Sequence, residues 1–325
     1  MSSYQITVGV DIAKRKFDAV RLENGKYKHK TFDNSADGFA TLITWLLTFG
    51  EIKPLICMEA TGAYSISLAE FLVNSGHSVS VVNPAKIKAF AKSELSRLKT
   101  DKADAKLIAR YALEKQPSLW TPPPPTMIEL QALLRRIEHL LEIRQMEQNR
   151  LDTANPVIIE SIKTLLTLLD EQLESTRKQI RQLIDQDPVL KHRAKLLESI
   201  PGVGSASIAH LLLALSEHHG FTHAKQAAAY AGLEPRISES GDWTGKTRLS
   251  KTGDALLRKA LYMPALVAWR HNPAIHVFCE RLKTNGKNGK AIACAAMRKL
   301  VHIAFAILKS NKPFDPLYKT KLALA

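Results

Sequence analysis

The sequence predicts a multidomain protein with an α/β domain at its N-terminus, a coiled-coil helical arm and a mostly helical C-terminal domain. Three observations indicate this fold class. Strand and helix patterns alternate over the first 120 residues, a proline run follows, and leucine and isoleucine then recur at helical spacing over 130–183. At 325 residues the chain is also longer than one hydrophobic core usually supports.

The N-terminal region reads as three strands followed by alternating helices and strands. The first strand shows alternating apolar residues, and an Asn-Gly turn separates the second from the third. The predicted strands cover 6–11, 17–22, 28–32, 54–58 and 78–82. The predicted helices cover 37–49, 66–73 and 99–113. This order is typical of an RNase H-like sheet and also of half an actin-like ATPase, so the fold alone does not decide the function.

Residues 121–125, Thr-Pro-Pro-Pro-Pro, separate this region from the rest of the chain. Proline cannot continue a helix, and a short run of it favours an extended chain, so a boundary is predicted there. Apolar spacing over 130–143 and 162–183 then predicts two amphipathic helices. They form either an antiparallel hairpin or an intermolecular coiled coil, because a few heptads do not fix the oligomeric state. The predicted domains are 1–125, 126–190 and 191–325.

The charge balance indicates a polyanionic partner. The chain has a net charge of +15, and residues 236–312 alone hold 15 Lys and Arg but four acidic residues. Contacts of Lys and Arg with phosphate supply most nucleic-acid affinity. No apolar run approaches the roughly 20 residues of a membrane span, and no signal peptide is expected. Cys57, Cys279 and Cys294 lack paired spacing, so a reduced, cytoplasmic compartment is expected.

Four acidic residues are placed where the predicted sheet would gather them. Asp11 ends the first strand, and Glu59 ends the fourth, which neighbours the first in an RNase H-like sheet. Asp101 and Asp104 share one face of the last predicted helix. Converging carboxylates repel one another unless a hard cation such as Mg²⁺ binds them, and two such ions assist phosphoryl transfer. The set therefore predicts a metal site for chemistry on phosphate.

Each acid also has a plainer interpretation. Asp101 and Asp104 are compatible with solvated surface positions or a helix cap, and Asp11 with the cap of a turn. The rival actin-like fold is disfavoured, because its phosphate loop needs glycine after the first strand. Residues 11–14, Asp-Ile-Ala-Lys, contain none.

A second motif resembles a helix-hairpin-helix turn. Pro201, Gly202 and Gly204 precede an apolar helix, and such a turn can present backbone N–H groups to a phosphate. A plain corner between two helices is the alternative.

Residues 234–246 are polar and glycine-punctuated, which predicts a loop, and they include Ser240. A serine in a basic loop can attack phosphorus while nearby cations stabilise the developing charge. A hydrogen-bonding turn former is the plainer interpretation of the serine, and a solvated face that of the lysines. The candidate nucleic-acid contacts are Lys14, Lys246, Arg248, Lys251, Arg258, Lys287 and Lys290.

Short segments along nearly the whole chain carry a family resemblance. In the N-terminal region they are VGVDIAK at 8–14, MEATGAY at 58–64, VNP at 82–84 and KTDKADA at 99–105. In the C-terminal region they are IPGVG at 200–204, AGLEP at 231–235, ESG at 239–241, RLSKTG at 248–253 and LYM at 261–263. Together they resemble the DEDD-type insertion-sequence transposases, which include Piv-like invertases and bridge-RNA-guided recombinases. The four acids occur in the family's order.

The resemblance implies a RuvC-like N-terminal domain and a mechanism. Ser240 is expected to attack DNA and form a phosphoserine link, while Asp11, Glu59, Asp101 and Asp104 hold Mg²⁺. The site is expected to combine the acids of one protomer with the serine of another, in dimers and a tetrameric synaptic complex joined by the coiled-coil arms. The expected partners are double-stranded donor and target DNA and a structured non-coding guide RNA. The expected location is the prokaryotic cytoplasm, at the nucleoid during the reaction.

Three hypotheses follow from the sequence. The first is a recombinase that works by transesterification through Ser240. The second is an RNase H-like junction-resolving nuclease that uses metal-activated water and leaves no covalent intermediate. The third is a non-catalytic nucleic-acid-binding module, against which the four ordered acids argue.

Overall fold

The computed structural model describes residues 4–50, 53–60, 62–94, 100–236, 239–240, 243–245 and 248–317. Its contacts divide the chain into two compact units, Met1–Pro122 and Pro123–Ala325. The second unit contains both the predicted arm and the predicted C-terminal domain, and the separation of these two stays a prediction.

The first unit is built on a five-stranded mixed sheet. Its strands are β1 (Thr7–Ile12), β2 (Lys16–Glu23), β3 (Lys26–Asp33), β4 (Leu55–Glu59) and β5 (Ser78–Val82). The spatial order is β3-β2-β1-β4-β5. The first three strands form an antiparallel meander, whereas β4 runs parallel to β1 and β5 parallel to β4. A mixed α/β sheet followed by helices confirms the predicted fold class at that level, and the arrangement is consistent with an RNase H-like domain.

Helices cover both faces of this sheet. They are α1 (Ala36–Leu47), α2 (Ala63–Asn74), α3 (Pro84–Ser93) and α4 (Asp101–Lys115). Buried residues of α1 and α2 pack against Val8 and Val10, and those of α3 and α4 pack against Leu55 and Cys57. The helix α3 was not predicted. Asn83 caps it by accepting a hydrogen bond from Ala85 N (2.8 Å), and a proline occupies its first position, which is a recognised start signal.

The second unit begins with a pair of long helices. α5 (Pro125–Leu151) and α6 (Pro156–Gln186) pack side by side in opposite directions, with Leu140 against Leu169 and Leu173. Arg144 Nε also donates to Asp170 Oδ1 across the pair (2.6 Å). Of the two predicted arrangements, the antiparallel hairpin is therefore present within the chain. Its pairing with a second chain stays a prediction.

The rest of the second unit is mostly helical, with four short strands between its helices. The helices are α7 (Pro188–Glu198), α8 (Ser205–Ala214), α9 (Ala224–Tyr230), α10 (Ala255–His271), α11 (Pro273–Thr284) and α12 (Gly289–Ser310), and a 3₁₀ turn covers Glu217–His219. The strands are β6 (Pro235–Arg236), β7 (Glu239–Ser240), β8 (Trp243–Thr244) and β9 (Arg248–Leu249). A single core of leucine, isoleucine and alanine side chains joins these helices.

Helix α12 contradicts the expectation that no apolar run is as long as a membrane span. It is long and apolar enough to cross a membrane by length and composition, although no such run was expected. Eight of its residues are buried, and most of these belong to the core of the second unit. Packing inside the protein therefore accounts for its apolar composition.

Candidate active site

Asp11 and Glu59 meet at the carboxyl ends of two neighbouring strands. The parallel register of β1 and β4 pairs Val10 with Met58, so the next residues along each strand are the two acids. Both side chains are half-buried, at the edge where the two strands end. The predicted neighbourhood of these two acids is therefore present.

The first turn of α4 lies beside them. Thr100 caps this helix by accepting a hydrogen bond from Ala103 N (3.2 Å), and both Asp101 and Asp104 lie in its first turn. Negative side chains are stabilised at that position by the helix dipole. The same geometry therefore favours helix formation and supplies two carboxylates.

A glycine in β1 allows α4 to approach so closely. A Cβ atom on Gly9 would lie 2.1 Å from Ala105 O and 2.2 Å from Ala109 N, so no larger residue fits. Thr7 Oγ1 also donates to Ala109 O (2.8 Å) and fastens the helix to the strand. Because alternate strand residues share a face, Thr7, Gly9 and Asp11 all point toward α4. This contact was not predicted from the sequence, where Gly9 reads only as part of an alternating strand.

The electrostatics show that three of the acids influence one another. Burial, followed by the charges of Asp104, Asp101 and Asp18, raises the pKa of Asp11 to about 6. Burial, followed by the charges of Asp11 and Asp104, also raises the pKa of Glu59. The mutual repulsion of Asp11, Glu59 and Asp104 favours binding of a positive charge between them.

Asp101 is the most peripheral of the predicted set. Its carboxylate forms an ion pair with Lys16 Nζ at 3.0 Å, and 56% of its side chain is exposed. Its charge reaches Asp11 but is not among the causes that raise the pKa of Glu59.

The donor set fits a hard divalent cation by its chemistry. Asp11, Glu59 and Asp104 supply carboxylate oxygens only, which are the ligands that Mg²⁺ prefers. Within the described ranges, however, no three acidic, histidine or cysteine side chains converge as a ready metal cage. Closure around an ion would require movement of these side chains.

A fifth carboxylate lies next to the site, and it was missed in the sequence. Asp18 on β2 is directly opposite Asp11 in the antiparallel register, and it is buried. Burial alone would raise the pKa of Asp18. Hydrogen bonds from His29 Nε2 (2.6 Å) and Thr31 Oγ1 (2.8 Å), with the charge of Lys16, instead lower it. The available signal was an acid between the apolar residues of a predicted strand.

Ser240 lies near the tip of a β-hairpin, where a loop was predicted. β6 pairs with β9, matching Arg236 with Arg248, and β7 pairs with β8, matching Ser240 with Trp243. Ser240 therefore occupies the last paired backbone position before a two-residue connection. Paired strands restrict the backbone more than a loop does, so the serine's backbone has a defined position.

Two tightly packed glycines flank the β6–β9 pair in the chain, one before β6 and one after β9. At Gly253, where φ is +143°, a Cβ atom would lie 2.2 Å from Tyr230 O. At Gly232, where φ is +65°, it would lie 2.5 Å from Arg258 Nη1. Arg258 Nη1 donates to Ala231 O (2.9 Å), so this predicted nucleic-acid contact also holds the backbone that precedes β6.

One more basic residue, Arg236, joins those that were predicted near Ser240. Arg236, absent from the predicted set, lies directly across the ladder from Arg248, and both are exposed. Like charges in opposite positions destabilise a sheet, whereas a bound phosphate would offset that cost. Lys251 follows with a left-handed backbone (φ +56°). Lys246 lies outside the described residues.

The two glycines of the Pro-Gly-Val-Gly motif have different surroundings in the structure. Gly202 has φ +98°, and a Cβ atom there would lie 2.7 Å from Ala268 N, so this glycine serves packing against α10. Asn272 Nδ2 donates to Pro201 O (3.4 Å) and holds the same turn. Gly204 is the N-cap of α8 and has open space around it. A phosphate role for this turn stays a prediction, as it does for the exposed Lys14, Lys287 and Lys290.

Comparisons with known proteins show strong similarity over both units. A family model described as "Transposase" matches residues 8–154, and the model described as "Transposase IS116/IS110/IS902 family" matches residues 194–280. The pilin gene-inverting proteins of Moraxella bovis and Moraxella lacunata are each 38% identical over 312 residues, covering 95% of this chain and 97% of theirs. The transposase for insertion sequence element IS1328 of Yersinia enterocolitica is 23% identical over 305 residues, covering 80% of this chain and 85% of its own.

Proposed function

This chain belongs to the IS116/IS110/IS902 family of transposases, and on that premise we propose that it cuts and rejoins DNA by transesterification at Ser240. The family supports a DNA-acting recombinase, and the serine chemistry is the proposed refinement. One observation carries the proposal above all. Asp11, Glu59 and Asp104 are far apart in the chain, yet the strand register and the first turn of α4 bring them together, and burial with the charges of neighbouring acids raises the pKa of Asp11 and of Glu59. Such a cluster suits chemistry on a phosphate.

The proposed step is an exchange of phosphoester bonds. Ser240 Oγ attacks the scissile phosphorus, an Oγ–P bond forms, and the P–O bond to the leaving nucleoside breaks. The serine proton passes to a base, and the leaving oxygen takes up a proton. In the second step a DNA hydroxyl attacks the phosphoserine and releases the serine. Bond energy is conserved through both steps, so rejoining needs no additional energy source.

Asp11, Glu59 and Asp104, with Asp101 at the edge, are proposed to hold a divalent cation, with Mg²⁺ as the expected ion. When bound, the cation supplies positive charge beside the phosphate oxygens. The protein residues position the acids through Gly9 and the capped first turn of α4. Replacing Asp11 or Asp104 by Asn is expected to abolish activity, because a neutral amide weakens cation binding.

The names of the relatives suggest the kind of rearrangement. The two Moraxella proteins are named for inversion of a pilin gene, which is a reaction between two DNA sites. We infer that this chain likewise recombines two DNA segments, as a dimer or a tetramer. A structured guide RNA is the proposed source of site choice. Sequencing RNA that co-purifies from the native locus tests this, and recovery of no transcript flanking the gene would favour an unguided invertase.

A suicide DNA substrate tests the serine chemistry. Wild-type protein is expected to form a covalent DNA adduct that survives denaturing electrophoresis, and Ser240→Ala is expected to form none while still binding DNA. Ser250→Ala is the matched control, since it removes a serine hydroxyl from the same segment. Strand cleavage by the wild type without any adduct would instead support the junction-resolving nuclease, because attack by water leaves no protein–DNA bond.

A further inference from the structure

β3 is a strand that buries almost none of its side chains. Only Phe32 is buried among its eight residues, and the other seven are exposed. A strand usually hides one face in the core, and burial of that face fixes its register. β3 also forms one edge of the five-stranded sheet. Its regular backbone therefore presents both rows of side chains to the surroundings, as an interaction surface would.

One row consists of lysines supported by aromatic rings. Lys26, Lys28 and Lys30 alternate along the strand, so neighbouring members lie about 7 Å apart. Lys28 Nζ lies 4.9 Å from the centre of the Phe49 ring, and Lys30 Nζ lies 5.4 Å from that of Phe32. At these distances the face of each ring attracts the ammonium group beside it.

These lysines have no carboxylate partners in the described part of the chain. Glu23 is opposite Lys26 in the register but pairs with Arg21 at 3.0 Å. Arg21 is in turn directly opposite Lys28, and both cations contact the ring of Phe49. Like charges in opposite positions destabilise a sheet. The local excess of positive charge is therefore a cost that an anionic partner would offset.

The other row of β3 lies on the α4 side of the sheet and leads to the acids. The ring of Tyr27 is contacted by Lys106 Nζ of α4 at 4.1 Å. Further along, Thr31 pairs with Asp18, which pairs with Asp11. Two strand spacings separate Thr31 from Asp11, or about 10 Å. A nucleic acid whose phosphate reached Asp11 would therefore have neighbouring phosphates near β3.

We propose that β3 binds the backbone of the substrate DNA beside the cut site. The inference rests on the proposed function, in which Asp11 belongs to the site that cuts DNA. Because β3 lies close to Asp11, we assign its surface to the DNA substrate and not to a guide RNA. Lys26, Lys28 and Lys30 contact phosphates without reading bases, since a flexible ammonium group carries no base code. The lysine row and the row that leads to the acids flank the same exposed edge of the sheet. A duplex that lies along this edge therefore contacts both rows.

The test compares two triple variants of the full-length protein. In the first, Lys26, Lys28 and Lys30 are replaced by Gln. In the matched control, Lys86, Lys88 and Lys92 of α3, three exposed lysines of the same unit, are replaced by Gln. Affinity for a duplex carrying the target sequence is measured over a series of salt concentrations, with a structured RNA of equal charge in parallel. Thermal melting and gel filtration verify folding and assembly.

The β3 variant is expected to bind DNA at least about 10-fold more weakly at low salt. The slope of log affinity against log salt should fall by about 2 to 3, as expected for three lost phosphate contacts. The α3 control should stay within about twofold of the wild type in affinity. Arginine at the same three β3 positions should restore most of the binding, since it keeps the charge.

Three results would overturn the proposal. The β3 and α3 variants could lose DNA affinity equally, which would mean a general charge effect. The β3 variant could lose RNA binding while its DNA affinity is retained, which would assign the surface to RNA. It could also aggregate at unchanged DNA affinity, which would mean that the lysines only protect a sheet edge. A failure of the serine chemistry would appear separately, as a missing covalent adduct in wild-type protein.

Discussion

Asp11 links the acid cluster to the pH dependence of folding. Its pKa is raised to about 6 in the folded protein, against an ordinary value of 3.8. Between those pH values the folded state keeps a proton that the unfolded chain has released. Metal-free wild-type protein therefore loses stability as the pH rises from about 4 to about 6, and the loss persists at higher pH.

Asp11→Asn is accordingly expected to stabilise the metal-free protein at pH 8. The full shift would correspond to about 3 kcal/mol, but solvent screens a half-exposed carboxyl, so about 1 kcal/mol is expected. The measurement is urea unfolding in EDTA from pH 3.5 to 8, where the two curves should converge below pH 4. Asp152→Asn, at the exposed end of α5, is the control. A variant that is less stable than wild type at pH 8 would contradict the electrostatic account.

Gly9 determines whether α4 can lie against β1. Gly9→Ala is expected to lower the free energy of unfolding by about 3 kcal/mol, because its Cβ atom would overlap Ala105 O and Ala109 N. Recombination should be lost as well, since the displaced helix carries Asp104 away from Asp11. Gly289→Ala is the control, because that glycine has open space around it. Equal unfolding midpoints for the two variants would show that the close approach is unimportant.

At the element scale, two glycines of the turn between α7 and α8 have different roles. Gly202 packs closely against α10, whereas Gly204 is the N-cap of α8. Gly202→Ala is expected to cost about 2 kcal/mol in folding, because it combines a positive φ with a contact at 2.7 Å. Gly204→Ala should change stability by a few tenths of a kcal/mol, since its Cβ atom enters open space. Urea unfolding of both variants is the measurement. Large destabilisation by Gly204→Ala would exclude this division of roles.

The DNA affinity of the Gly204→Ala variant then addresses the predicted phosphate contact separately from folding. Weaker binding at unchanged stability would support a phosphate at the N-terminus of α8. Unchanged binding would leave the motif with a packing role only.

At the scale of the whole molecule, the division into Met1–Pro122 and Pro123–Ala325 places the acids and the serine in different units. The family resemblance implies that the two units acting together come from different protomers. A mixture of Asp104→Asn and Ser240→Ala variants should then recover part of the covalent adduct formation that neither has alone. Each mixed assembly can pair intact acids with an intact serine. A suicide substrate provides the measurement, and continued inactivity of the mixture would indicate a site built within one chain.

Much of this architecture was predictable because local patterns carry it. The strands of the first unit followed from alternation, an Asn-Gly turn and a short apolar run, and three of its four helices were predicted as well. The missed helix α3 had a readable start signal in Asn83 and Pro84. The short strands around Ser240 were predicted as a loop, because segments of two residues are too short to show an alternating pattern.

The sequence by itself determined the α/β sheet followed by helices, the family and the choice of candidate acids, since these depend on residue types in chain order. Only the tertiary structure decided which groups face one another. Asp18 became a neighbour of Asp11 through an antiparallel register, and Gly9 acquired its importance through a helix that begins 92 residues later in the chain, at Asp101. Such contacts depend on how elements distant in sequence pack, and no periodicity within one element encodes them.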